Sequence, residues 1–498
     1  MNQLFQPTRY LLDKQSHDLA RQERRQLLNV FWFIAGGLFL YELFSFETSS
    51  STANFGAILI TATAILPSYL WCSGKALGMP IFPLFAFTFV WTYGLPLVTK
   101  HPEVATYSAQ NHLLASVTTA GFLALGTLVW FQLVKTAPPL PNSYRALGAQ
   151  KGDIYFLLAL AVAAFFNVVI NAGWLPPLWG GVFSAIRAVS IAITGLGSFV
   201  LAYKLGTQEL SQRKSQLFLI LLISYMISNA VGLLLVTTAS IFLVATVGFI
   251  FGRKKLPVLV IVIALTCLTF LHYGKAEMRA KYWYQDEAAI IKPWEYPAWY
   301  GEWFGYTLDY FSQQNDPNNV SELEEKHSFL ERSSVIQILL LAQDRSPESI
   351  PYLYGYSYSF LPQLLVPRIF NKDKLRSNTG TYILSFYYGL QTLEQLAVTS
   401  IGWGLLPESY ANFGLIGCGG LGIVLGILYG LVTRWSINTP ILSARSLLAV
   451  VFMTFALQTE WTAGVYVAAV AQSSIMLGGI VVFFMNTYRT PKNPAYDR

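Results

Sequence analysis

The chain has 498 residues, 54% of them hydrophobic and only 12% charged, with a formal net charge of +7 and three cysteines. Soluble domains carry about 25% charged residues, so half of the usual solvating surface is missing. The apolar content excludes disorder, and three cysteines exclude a disulfide-stapled secreted scaffold.

About twelve spans of ~20 residues each account for these proportions. A basic segment, 1–26, comes first, and residues 8–26 are patterned as an amphipathic helix lying on the inner leaflet. Apolar runs bounded by charged or Pro/Gly flanks predict spans at 27–45, 54–72, 79–98, 113–134, 153–172, 182–202, 216–233, 236–251 and 256–274. The seventh and eighth form one apolar block, divided at Val236-Thr237-Thr238 because both of its flanks are basic. A long segment, 275–408, follows, then spans at 409–432, 441–459 and 464–486, and a tail, 487–498. With the N-terminus inside, twenty Lys and Arg fall on inner segments, while the short outer loops and their margins hold only Lys100 and Arg187. This asymmetry places both termini in the cytoplasm and the long 275–408 loop outside. The expected fold is an all-α polytopic integral membrane protein with about twelve transmembrane helices and one large external loop. The positive charge reads as topology and calls for no nucleic acid.

Little chemistry is legible within the spans. Cys72, Cys267 and Cys418 all fall in apolar runs, and no Cys cluster exists. The histidines show no HExxH spacing, so neither a metal nor another cofactor is expected. Gly422, Gly426 and Gly430, four residues apart, predict a helix-packing face. Arg187, inside the sixth span, suits either snorkelling to the interface or a functional site.

The external loop carries the informative residues. Its first part, 282–311, is dense in Trp and Tyr, including Trp299 and Trp303. Such rings suit both a membrane interface and stacking on sugars. Further on come Glu331-Arg332-Ser333-Ser334, an apolar run over 335–342, and Tyr352-Leu353-Tyr354-Gly355-Tyr356-Ser357-Tyr358. Leu365-Val366-Pro367-Arg368 follows, with Lys372, Lys374 and Arg376 close behind. Four cations in nine residues suit a diphosphate, a solvated loop or anionic lipid headgroups. Glu408 opens the tenth span, where a carboxylate caps a helix or serves as a general base, and Asn412 lies one turn on along the same face.

The segment 330–430, through Arg332-Ser333, the 352–358 tyrosine run, Leu365-Val366-Pro367-Arg368 with Lys374, and Glu408-Ser409-Tyr410-Ala411-Asn412-Phe413-Gly414, resembles the Wzy-type polymerases of O-antigen and oligosaccharide repeat units. Many relatives carry Lys-Pro soon after Pro-Arg, whereas Lys374 is followed here by Leu375. The resemblance implies a glycosyltransferase of the bacterial inner membrane acting in a periplasmic loop for O-antigen, capsule or exopolysaccharide synthesis. Its substrates would be polyprenyl-diphosphate-linked oligosaccharides in the lipid bilayer, and its partners a flippase and a chain-length regulator. On that basis Arg332, Arg368 and Lys374 bind diphosphate, with Arg187 or Arg279 assisting. Glu408 is then the base, with His327 as the alternative, and Trp299, Trp303, Tyr356, Tyr358 and Asn412 contact sugar. A flippase predicts short external loops, and an O-antigen ligase shares the donor lipid and uses a loop histidine. A membrane peptidase lacks a nucleophile constellation here.

Overall fold

A computed structural model describes residues 6–44, 50–99, 101–148, 152–174, 180–233, 235–253, 255–282, 290–313, 334–366, 374–398 and 400–489. Every predicted apolar run falls on a helix. Among the described residues, eight helices are long and apolar enough to cross a membrane: Arg24–Phe44, Ser51–Cys72, Ala109–Val134, Asp153–Asn171, Leu235–Arg253, Val258–Lys275, Leu405–Ser436 and Ala463–Phe484. Shorter apolar helices cover Ile81–Leu97, Ser190–Gly206 and Ala444–Ala456, and Gln212–Ala230 takes the remaining run. Leu259, Ile263, Ile154 and Phe165 are exposed on these helices, a surface that suits hydrocarbon and not water. The chain is thus a helical, membrane-embedded protein.

The helices depart from the predicted runs in four places, each for a local reason. The first helix runs unbroken through Gln6–Phe44, because nothing between the basic segment and the first apolar run interrupts it. The helix from Ile81 ends at Phe89 and passes through a wide π turn, Val90–Gly94, into a tight turn, Leu95–Leu97, at Pro96. The carbonyl of Thr92, in that π turn, accepts from the Val335 N–H at 2.8 Å. The seventh run turns after Ala230, at Gly232 and the left-handed Leu233, not at the threonines. Thr238 instead sits in the next helix and accepts from Asn229 Nδ2 at 2.9 Å, closing the turn. Finally, the all-α expectation misses an antiparallel ribbon that pairs Ser143–Leu147 with Met485–Arg489. Tyr144 stacks on Tyr488 across it, and alternating β-formers pair where the last helix stops at Phe484.

The predicted long loop is largely helical in its described parts. Val258–Tyr282 runs eight residues past the expected end, and Tyr296–Gln313 packs back along it. Ile336–Arg345, the apolar run, is buried, with Ile336, Leu339, Leu340 and Ala342 sealed from solvent. Short helices follow at Leu361–Leu365, Thr379–Tyr387 and Leu393–Val398.

At the centre, Ala109–Val134 lies against Leu405–Ser436 at backbone distance. A Cβ on Gly422 would sit 2.5 Å from the Phe122 carbonyl oxygen, and one on Gly426 2.6 Å from that of Gly126. The predicted glycine face is therefore a contact between backbones. Around it pack Phe82, Phe85, Phe89, Tyr93, Trp130 and Tyr429. Because the obstructing atom is backbone and cannot rotate away, Gly426→Ala should lower stability by about 1–3 kcal/mol. A thermal unfolding midpoint in detergent micelles equal to that of the parent protein would show that the helices can separate freely.

The turns segregate to two ends of the bundle. At one end, Arg434 donates to the carbonyls of Leu133 and Thr136, Asp153 pairs with Lys204 and Lys214, and the ribbon closes over the helix ends. At the other end, Arg279 donates to the Leu233 carbonyl, Asn171 to that of Ser228, and the Gly404 N–H to that of Glu460. This second end gathers the described parts of 275–408.

Candidate active site

The two motif blocks around Tyr352–Tyr358 and Glu408–Gly414, some fifty residues apart, meet at this second end. The helix Leu405–Ser436 starts after Gly404, whose φ of 79° is a glycine conformation, and it breaks at Gly414 (φ 61°, ψ −146°). A Cβ at Gly414 would also lie 2.8 Å from the Tyr352 hydroxyl. The break frees the carbonyls of Ala411 and Asn412 from their helical partners. They are taken instead by the N–H groups of Leu353 and Tyr354, each at 3.0 Å. The glycine thereby creates the edge on which the tyrosine run docks.

Side chains complete the joint. Glu408 and Asn412 are fully buried, and Ser357 nearly so. Ser357 Oγ donates to Glu408 Oε1 at 2.8 Å and accepts from Asn412 Nδ2 at 2.8 Å. Asn412 Nδ2 also donates to the Glu408 carbonyl at 2.7 Å, and its Oδ1 accepts from the Gly355 N–H at 3.1 Å. Glu408 Oε2 accepts the Ala463 N–H at 2.6 Å, at the start of Ala463–Phe484. Thr462, the N-cap residue, makes no side-chain cap bond, so the carboxylate of another helix supplies the cap. Thr462 Oγ1 lies 3.0 Å from Thr381 Oγ1, which brings a fourth segment to the cluster. A single carboxylate thus ties three chain segments together in a low-dielectric setting, where satisfied polar networks are rigid and unsatisfied ones costly.

Two exposed tyrosines, Tyr354 and Tyr356, flank this network. Tyr358 is half-buried against Phe413. Burial pushes its hydroxyl well above the usual tyrosine range, Glu408 pushes it further, and a hydrogen bond with Ser409 pulls it back. It therefore stays a neutral donor. Of the predicted sugar contacts, Tyr356 presents an open ring, Tyr358 a partly open one, and Asn412 is engaged inside the network.

Trp299 and Trp303 are placed elsewhere. Both are buried against Val258–Tyr282; Trp303 Nε1 donates to the Leu271 carbonyl at 2.6 Å, and Trp299 packs on Tyr282. Neither ring has a face open to a sugar, because the helix Tyr296–Gln313 turns these positions inward and presents Phe304 and Leu308 outward. A run of eighteen residues with aromatics on most faces does not reveal from sequence which face turns in.

Among the predicted cations, Lys374 Nζ donates to the Leu364 carbonyl at 2.5 Å, at the end of Leu361–Leu365. Arg279 Nη2 donates to the Leu233 carbonyl at 2.7 Å. Arg187 lies on the helix Gly180–Gly206, with its side chain outside the description. His327, Arg332 and Arg368 lie outside the described residues. No three His, Cys, Asp or Glu side chains converge among the described residues. Of the three cysteines in apolar runs, Cys267 is exposed on Val258–Tyr282, while Cys72 and Cys418 are buried.

Sequence reasoning missed Ser357 and the loop Leu457–Thr462. Ser357 stood inside the tyrosine run, where the rings drew the attention. The 457–462 loop is distant in sequence and carries no motif. No protein family, curated protein or solved structure matches this chain.

Proposed function

We propose that the protein is a polysaccharide polymerase, a membrane glycosyltransferase that joins polyprenyl-diphosphate-linked oligosaccharide repeat units at the outer face of the bacterial inner membrane. The observation that carries this reading is the joining of the two motif blocks, 352–358 and 408–414, in one buried network beside exposed tyrosines. Two of the blocks behind the resemblance to Wzy-type polymerases, 352–358 and 408–414, meet in this network. In the proposed reaction an acceptor hydroxyl attacks the anomeric carbon of the donor glycan and the bond to the diphosphate breaks. Arg332, Arg368 and Lys374 would offset the charge on the leaving diphosphate, and the open rings of Tyr354 and Tyr356 would stack on sugar. Twelve spans with both termini cytoplasmic complete the topology.

Glu408 serves this site as the carboxylate that fixes its shape. For it to take a proton directly, the 355–358 turn would have to lift, breaking the Ser357 and Gly355 hydrogen bonds at once. Deletion of the gene tests the reading. Single repeat units should accumulate on the outer leaflet, with short surface glycans. Full-length chains left on polyprenyl diphosphate would instead assign a ligase, and units trapped on the inner leaflet a flippase.

A further inference from the structure

The first two membrane-crossing helices meet around a carboxyl that the candidate active site does not use. The inward seam of Arg24–Phe44 is Ala35, Leu38, Phe39 and Glu42, spaced three, one and three residues apart, while Trp32, Phe33, Leu40 and Phe44 face outward. Glu42 is 1% exposed, and its Oε1 accepts from the Thr61 hydroxyl. Thr61 lies halfway along Ser51–Cys72, about 15 Å from either end at ~1.5 Å per residue. The carboxyl is therefore held at membrane depth, where a charge without compensation is costly.

Its second oxygen is open. Glu42 Oε2 is buried and has no hydrogen-bond partner among the described residues. Among the same residues, no Lys or Arg pairs with it. Ser51–Cys72 carries no charged residue, and its titratable side chains, Tyr69 and Cys72, lie more than two turns beyond Thr61. Asn54, about two turns before Thr61 on the same face, also buries an oxygen, Oδ1, without a partner among the described residues. Buried polar groups are satisfied as a rule, and these two acceptors are not.

The π turn completes the surroundings. A Cβ on Gly94 would stand 3.0 Å from Thr61 Oγ1 and 3.7 Å from the Ala57 carbonyl oxygen, so the turn closes over the hydroxyl. The same turn holds the Val335 N–H at the Thr92 carbonyl. A Cβ on Gly404, where the helix of Glu408 begins, would lie 2.9 Å from Val335 Cγ1. Glu42 is thus joined to the candidate active site by contacts through Thr61, Val90–Gly94 and Val335.

We infer that Glu42 and Thr61 form a binding site for one monovalent cation within the membrane, a proton or sodium, held at Glu42 Oε2. Thr61 donates to Oε1 and leaves Oε2 to the cation, which supplies the charge that a buried carboxylate needs beside it. The site is independent of the glycosyl-transfer reading.

Dicyclohexylcarbodiimide, which enters apolar seams and adds to protonated carboxyls, tests this on the full-length protein in detergent. The label is compared in choline chloride and in sodium chloride of equal ionic strength. In choline, Glu42 should gain one carbodiimide, located by fragment masses, and Glu42→Gln should lose that label. Sodium at about ten times its Kd should slow labelling about tenfold if the alkali ion takes the site; unchanged labelling would identify the proton as the occupant. A Glu42 that takes no label in either salt, in a protein whose thermal midpoint is the same in both, would overturn the inference and leave water or nothing at Oε2.

Discussion

Glu408→Ala should fail to give a stable protein, whereas Glu408→Gln should fold. Removing the carboxylate strips the acceptor from the Ala463 N–H and the Ser357 hydroxyl, both in a buried joint. Each orphaned donor costs about 1–3 kcal/mol, and the empty volume adds a cavity. Glutamine can direct its oxygen to Ala463 and its amide to Ser357 Oγ, which turns from donor to acceptor. Only the serine proton is then displaced, at about 1 kcal/mol. Monodispersity and the thermal midpoint in detergent separate the two variants, and the polymer made by the glutamine form separates two roles. A positioning carboxylate predicts reduced but measurable polymer. A folded Glu408→Gln protein that makes none would assign the proton transfer to Glu408.

The sequence shows why such a residue is half legible. Apolar runs report where helices lie, because burial in hydrocarbon and burial in protein both demand apolar side chains. They do not report where a helix breaks, as the runs over 79–98 and 216–233 illustrate. There Pro96 and Gly232 act only in combination with partners such as Val335 and Thr238. Glu408 and Asn412 stood out through their four-residue spacing at a helix start. Their partners did not, because Ser357 and Ala463 are an ordinary serine and a backbone N–H more than fifty residues away. Trp303 shows the opposite failure: an aromatic run marks surface and core alike, and only the packing of Tyr296–Gln313 turns it inward.

At the opposite end of the bundle, Asp153→Asn should destabilise the fold by about 3–5 kcal/mol without touching the site. Asp153 is the first residue of its helix, and its two oxygens reach Lys204 at 2.5 Å and Lys214 at 3.0 Å. Lys204 is buried in the last turn of Gly180–Gly206, where a cation also suits the helix dipole. Lys214 is one-third exposed, so its own share is about 0–1 kcal/mol. The asparagine variant keeps the shape but removes the charge that faces the buried Lys204 ammonium at 2.5 Å. Replacing both members, Asp153→Asn with Lys204→Met, should recover most of the loss, because a buried pair is worth little beyond an apolar isostere of its volume. A double-mutant cycle of detergent midpoints measures this coupling. Additive losses would mean that Lys204 takes its compensation elsewhere. Since the triad holds three helices at the opposite end of the bundle from Glu408, product per folded molecule below both midpoints should stay constant. A fall there would show that the two ends of the bundle are mechanically coupled.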